Sequence, residues 1–150
     1  MNIRKANVSD AASIHALITS YAEKDIMLFR SLSDIYEHLQ TFTVAELDKR
    51  IVGCCALDVI WADLAEIKSL AVDQSHTKAG IGKKLVEAAA DTAHHLGLPR
   101  IFALTLNPEF FEGLGFIKVD KQTLPMKVWK DCAHCSKQQH CDEVAVLKKL

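Results

Sequence analysis

Gly80 and Gly82 stand two positions apart in the stretch from Leu64 to Leu85, LAEIKSLAVDQSHTKAGIGKKL, with Lys78, Lys83 and Lys84 around them. Glycines without a Cβ let main chain approach a ligand closely, and a helix opening at such a turn aims its unpaired N–H groups at an anion. Phosphate binding through backbone amides, assisted by lysine charge, is the chemistry this spacing could do. Taken alone, G-x-G describes a ligand-free turn equally well. A second group is Cys132-x-x-Cys135-x5-Cys141, with His134 and His140 interleaved and Asp131, Asp142 and Glu143 beside it. Three thiolates completed by one imidazole are the ligand types of a tetrahedral zinc site. The same residues could stay as thiols packed in a tight loop, or pair Cys132 with Cys135, because the spacing before Cys141 is not that of a standard finger.

The elements that must position these groups follow from periodicity. Ile67, Leu70, Ala71 and Val72 form a short apolar run suited to a buried strand, and Asp73 to Thr77 supply turn formers that stop it. Leu85, Val86, Ala89, Ala93 and Leu96 then recur at helical spacing, with Gly97 as C-cap and Pro99 barring continuation. His94 and His95 suit that helix's negative pole. Upstream, Ile3 to Ala6 reads as a strand. Ser9 or Asp10 can cap a helix carrying Ile14, Leu17, Ile18 and Tyr21 on one face, with His15 as a packing or surface residue. Ser31 or Ser33 can cap a second, with Leu32, Ile35, Tyr36 and Leu39. Phe42 to Leu47 and Ile51 to Trp61 read as a hairpin turning at Asp48-Lys49-Arg50, both strands able to pair with the one ending at Val72. Cys54 and Cys55, adjacent in a strand, point to opposite faces and read as small apolar fillers. Ile101 to Leu106 is a further strand, Glu109 to Leu114 a short helix closed by Gly115, and Phe116 to Val119 and Glu143 to Leu147 are terminal strands. This order predicts an α/β or α+β domain of three layers around a mixed sheet.

At 150 residues and 49% hydrophobic the chain fits one domain, residues 1–150, with a cysteine-rich insert at about 129–143. A formal charge of −1 argues against nucleic acid as partner, which demands a clustered positive excess. No apolar run reaches membrane-spanning length, and MNIRKANVSD lacks the apolar core of a signal peptide, so a cytoplasmic location is expected. Five cysteines, an odd number, read as thiols or metal ligands.

The phrase SHTKAGIGKKL after LAV resembles the coenzyme A pyrophosphate loop of the GNAT superfamily of N-acetyltransferases, Q/R-x-x-G-x-G/A, with Thr77 where that pattern has Gln or Arg. Asn107 to Phe116, NPEFFEGLGF, resembles the superfamily's later segment ending in Y-E-x-L-G-F. AEIKSLAV, FALTLNPEFFEGLGF and above all LPMKVWKDCAHCSKQQHCDEVAVL are similar to the short stand-alone amino-acid N-acetyltransferases related to N-acetylglutamate synthase, across nearly the whole chain. The resemblance implies a mixed, mostly antiparallel central sheet flanked by helices. It implies acetyl-CoA as co-substrate, held by the main chain of Leu70, Ala71 and Val72 and by Thr77, Lys78, Ala79, Gly80, Ile81, Gly82 and Lys83, with Asn107 and Phe110 along the pantetheine arm. It places Glu66 as general base, the alternative being an ion pair between Glu66 and Lys68, two residues apart on one strand face. A backbone N–H near Leu70 or Ala71 would hold the oxyanion. Phe111 stands where the superfamily commonly has a proton-donating Tyr, so the thiolate must leave unassisted or take its proton from water. Phe110 and Phe111 otherwise read as core.

An amino-acid acceptor needs a cation for its carboxylate, and a dicarboxylic one needs two; Arg30 and Lys68 are the candidates. The expected activity is direct transfer of an acetyl group to the α-amino group of a small amino acid, glutamate foremost, as in arginine biosynthesis, by a protein for which a homodimer is one expected assembly. The alternatives are an acetyltransferase for another amine and a non-catalytic module that binds coenzyme A or senses a metal.

Overall fold

In the computed structural model, which describes residues 1–76, 79–124 and 143–150, seven strands form one sheet in the order β1-β2-β3-β4-β5-β7-β6. They are β1 (Asn2–Lys5), β2 (Phe42–Leu47), β3 (Arg50–Trp61), β4 (Leu64–Val72), β5 (Arg100–Thr105), β6 (Ile117–Val119) and β7 (Val144–Lys149). The helices are α1 (Ala11–Ala22), α2 (Leu32–Glu37), α3 (Ile81–His95) and α4 (Pro108–Glu112). The β4–β5 pair is parallel, whereas β1–β2, β2–β3, β5–β7 and β6–β7 are antiparallel. The mixed, mostly antiparallel sheet with flanking helices is thus the expected one. The chain divides into two compact units, residues 1–58 with 67–92, and residues 59–66 with 93–150.

In the first unit the expected hairpin is present, and Asp48 and Lys49 both adopt positive φ, 51° and 64°. Two consecutive left-handed residues make the turn whose twist matches that of the flanking strands. Only one of the two hairpin strands reaches the strand ending at Val72: β2 lies between β1 and β3, so β3 alone of the pair neighbours β4. Ile14 and Ile18 of α1 and Ile35 of α2 pack with Phe42, Val44, Cys54, Ala56 and Ala71 on one side of the strands. On the other, a Cβ built on Gly53 would meet Ile81 Cγ2 at 2.9 Å and Leu85 Cδ1 at 3.0 Å, so α3 packs onto β3 where a side chain is missing. Adjacent residues thus face different helices, as a strand demands. Cys54 and Cys55 are both buried, as fillers. Burial pushes the Cys54 thiol up to about 12 and the Cys55 thiol higher still.

The chain enters α1 differently from the expectation. Asn7 caps a short 3₁₀ turn, Val8–Asp10, through a capping box, and Asp10 makes no side-chain cap to α1. Its carboxylate instead receives Arg4 in a fork, at 2.7 and 3.1 Å, and the Asn7 N–H at 2.8 Å, while Arg4 also reaches Glu46 at 3.2 Å. For the second helix Ser31 is the cap, accepting from the Asp34 N–H.

In the second unit β5 meets β4 at Ala65↔Ile101 and Glu66↔Phe102. Leu64, Phe102, Leu124, Ala145 and Leu147 form its core. α3 ends as expected at Gly97, φ 86°, whose N–H bonds His94 O while the Leu98 N–H bonds Ala93 O. Gly115, φ 93°, closes the turn after α4.

Two outcomes test this packing. The Asp10 carboxyl is held below its ordinary range first by its hydrogen bond to Arg4, against the opposing effect of burial. A folded-state value below the unfolded one contributes stability above the ordinary Asp range that is lost on acidification. Asp10→Asn therefore costs on the order of 2 kcal/mol near neutral pH, and wild type and variant converge as denaturation is followed down through that range. Gly53→Ala forces Ile81 and Leu85 apart from β3 and costs about 1–3 kcal/mol in chemical denaturation.

Candidate active site

β4, the turn after it and α3 form the centre of the first unit's candidate site. The Asp73 N–H donates to Val52 O on β3 at 2.8 Å. Asp73 Oδ1 then accepts from the N–H and hydroxyl of Ser75 at 3.0 and 2.8 Å, which fixes the start of the turn and holds its carboxyl below the usual range. The Ala79 N–H bonds His76 O, and Gly80 takes φ 75°. A Cβ there would meet nothing within 4 Å, so the dihedral and not crowding calls for glycine. Lys84 makes the first i→i−4 bond of α3, to Gly80 O at 3.2 Å. The N–H groups of Ile81, Gly82 and Lys83 precede that ladder, at the pole where an anion is favoured. Ala79, Gly80 and Lys83 are exposed, whereas the Ile81 side chain is buried against β3 and offers only main chain. Thr77 and Lys78 lie outside the described residues.

Before that turn β4 departs from regular strand geometry. Ser69 adopts φ 56°, a left-handed conformation rare for a residue with a Cβ. Its carbonyl accepts from Cys54 Sγ at 3.4 Å and its hydroxyl from Arg30 Nη1 at 3.3 Å. Arg30 Nε donates to Asp34 Oδ2 at 2.6 Å, and the guanidinium stands 5.0 Å from the Phe42 ring centroid. Lys68 Nζ pairs with Asp58 Oδ2 at 3.0 Å, and Asp58 Oδ1 is buried with no hydrogen-bond partner among the described residues. Leu70 is half-buried and Ala71 fully buried. Val72, expected to offer its main chain to a ligand, has both groups engaged: its N–H donates to Tyr21 Oη at 3.1 Å and its carbonyl accepts from the same hydroxyl at 2.8 Å.

In the second unit Glu66 is 6% exposed, on β4 opposite Phe102. Asn107 is exposed, donating its N–H to Thr105 Oγ1 at 2.9 Å. Phe110 is half-buried and Phe111 buried, the two rings edge to face at 5.1 Å, and Phe116 also meets Phe111 edge to face, at 5.2 Å. Phe111 is core, as read. Cys132, Cys135 and Cys141 lie outside the described residues.

The model of the acetyltransferase (GNAT) family matches residues 10–116. The chain belongs to this family. A GNAT relative, an uncharacterised N-acetyltransferase of Chlorobaculum tepidum, is 40% identical over 99% of this chain and 96% of its own length. An amino-acid acetyltransferase of Mycobacterium tuberculosis is 39% identical over 86% of this chain and 75% of its own. Among solved structures, N-acetylglutamate synthase from Neisseria gonorrhoeae, complexed with coenzyme A and N-acetyl-glutamate, superposes with a TM-score of 0.90 at 31% identity. This chain spans 35% of that synthase. Rv2747 from M. tuberculosis, in complex with CoA and NLQ, superposes with a TM-score of 0.87 at 33% identity, over 99% of its length.

Within this GNAT domain three contributors escaped the sequence reading: Asp34, Tyr21 and Ser69. Arg30 and Asp34 stand at i and i+4, a spacing that could have been read as an ion pair once α2 was extended back by one turn. Tyr21 was legible only as part of an apolar helix face, because nothing local shows where its hydroxyl ends. The left-handed turn at Ser69 has no sequence signal, since serine carries no preference for it strong enough to notice. The Tyr21 hydroxyl is what satisfies the main chain at the end of β4, so Tyr21→Phe leaves two buried backbone groups without that partner. The expected cost is about 1–3 kcal/mol, seen as a melting temperature lower by several degrees in calorimetry.

Proposed function

We propose that this chain transfers the acetyl group of acetyl-CoA directly to the α-amino group of a small amino acid, with L-glutamate the first acceptor to test and arginine biosynthesis the pathway it would serve. The observation that supports this most directly is one strand, β4, which carries buried Glu66 and then Lys68 and leads through the Asp73–Gly80 turn into the N-terminus of α3. The CoA-bound relatives of the same fold support acetyl-CoA as the co-substrate.

In this reading the α3 N-terminal amides, with Lys83 and the residues from Thr77 to Gly82, hold the pyrophosphate. Glu66 accepts a proton from the acceptor's ammonium, directly or through water, leaving a neutral amine. The amine nitrogen attacks the thioester carbonyl, a C–N bond forms, and a main-chain N–H near Leu70 or Ala71 stabilises the oxyanion. The C–S bond then breaks, the nitrogen gives its second proton to water, and the thiolate takes its proton from water, because Phe111 has none to give. Arg30 and Lys68 would receive the acceptor's carboxylates, with Lys68 sharing its charge between Asp58 and the ligand. Asn107 and Phe110 would line the pantetheine arm. A cytoplasmic setting and a homodimer belong to the same proposal. Zinc on Cys132, Cys135 and Cys141, completed by a histidine, rests on ligand types in the sequence alone and enters no step. A second reading, a non-catalytic coenzyme A-binding module, is favoured by Thr77 and by the burial of Phe111 in an aromatic cluster.

Steady-state release of free CoA with a panel of amino acids separates the two. The enzyme reading expects turnover with at least one, and Glu66→Gln should lower kcat/KM by about 10²–10⁴-fold and change its rise with pH. Full activity with an unaltered pH profile in that variant would remove the base assignment. CoA binding without turnover on any amine would establish the module instead.

A further inference from the structure

Arg30 is held from three directions. Nε donates to Asp34 Oδ2, Nη1 donates to Ser69 Oγ, and the guanidinium plane stands over Phe42, with only 10% of the side chain exposed. Among the described residues its Nη2 has no hydrogen-bond partner. A guanidinium is a rigid fork of five N–H donors, so fixing one edge fixes the direction in which the remaining N–H groups point.

Asp34 is what fixes it. Its carboxylate is not spent on the helix that carries it, since the α2 cap is the Ser31 hydroxyl accepting the Asp34 N–H. Oδ2 takes Arg30, and Oδ1 stands 2.8 Å from His38 Nδ1 one turn further on, so both oxygens are engaged. Burial pushes this carboxyl up, but the hydrogen bond and charge of Arg30, then the charge and hydrogen bond of His38, outweigh it and hold it below the ordinary range. The group is therefore an anion at neutral pH, able to orient Arg30 throughout.

We propose that Asp34 is a positioning residue for acceptor recognition: by clamping the Nε edge of Arg30, it presents the free Nη2 edge in one fixed direction to the acceptor's carboxylate. The proposal rests on the reading of Arg30 given above. Without the clamp, a guanidinium tethered only by Ser69 and the Phe42 face would have to be ordered by each acceptor that binds, which weakens the ground-state and transition-state complexes alike. The consequence falls on acceptor KM, and the chemical step is left alone. Because Asp34 also offsets the charge of Arg30, recognition depends more on the geometry of the fork than on long-range attraction.

The test is initial-rate kinetics with L-glutamate and, beside it, the other proteinogenic L-amino acids. For whichever acceptor turns over fastest, Asp34→Asn should raise the acceptor KM about tenfold, leave kcat and the acetyl-CoA KM within about twofold, and keep the melting temperature; Asp34→Glu, which restores the charge, should recover most of the loss. An unchanged acceptor KM in Asp34→Asn overturns the proposal, as does a joint fall in kcat and stability that Asp34→Glu does not rescue. Arg30→Ala tells the two failures apart. If it raises the acceptor KM while Asp34→Asn does not, only the positioning role fails; if it too leaves that KM unchanged, or if no amino acid is acetylated, the reading of Arg30 fails and the proposal with it.

Discussion

Ser69, in the left-handed region in the middle of a strand, is the constraint on which the site's side of β4 depends. Such a conformation costs on the order of 1–3 kcal/mol in a residue with a Cβ and persists only where the surroundings hold it. Here they do: Cys54 donates to its carbonyl and Arg30 to its hydroxyl, the first from β3 and the second from the segment just before α2. The irregularity gives Arg30 its hydroxyl partner, and the strand beyond it runs on to a terminus where Tyr21 takes up both main-chain groups of Val72. Local strain and the arginine's pose are one arrangement seen from two residues.

The second constraint is steric. Gly53 leaves room on β3 for Ile81 and Leu85, the first turn of α3, to sit directly against the strand. The glycine-rich turn is therefore held from both ends, by the Asp73 N–H on Val52 at its start and by this contact at its finish. In the proposed reading this fixing favours pyrophosphate binding, because amides already oriented need no reorganisation when the charge arrives.

Element types and their order were legible because they rest on short-range signals: the apolar runs, Ser31 as a cap, Gly97 and Gly115 as stops, and a polar hairpin turn. The hairpin ends came within a residue. What the sequence hid was relational. That β2 pairs away from β4 depends on strand order, which periodicity does not encode. That Asp10 serves Arg4, which also reaches Glu46, in place of capping α1 depends on a strand and helix meeting across the fold. The candidate site divides in the same way. Glu66, Gly80 and the α3 terminus lie in one continuous phrase, LAEIKSLAVDQSHTKAGIGKK, and could be read off it. Tyr21, Asp34 and Ser69 act through contacts with residues far from that reading frame or through backbone geometry, and could not.

The twin thiols at Cys54 and Cys55 have a practical meaning for enzymology on this chain. Both are sealed from solvent and held in the protonated state by their apolar surroundings, and it is the thiolate that attacks disulfides and alkylating agents. A colorimetric sulfhydryl reagent mixed with the native protein should pass these two by. Any rise in their labelling then reports opening of the packing on β3, on the α1 side for Cys54 and on the opposite face for Cys55, which turns a nuisance background into an internal gauge of whether a mutated sample is still intact.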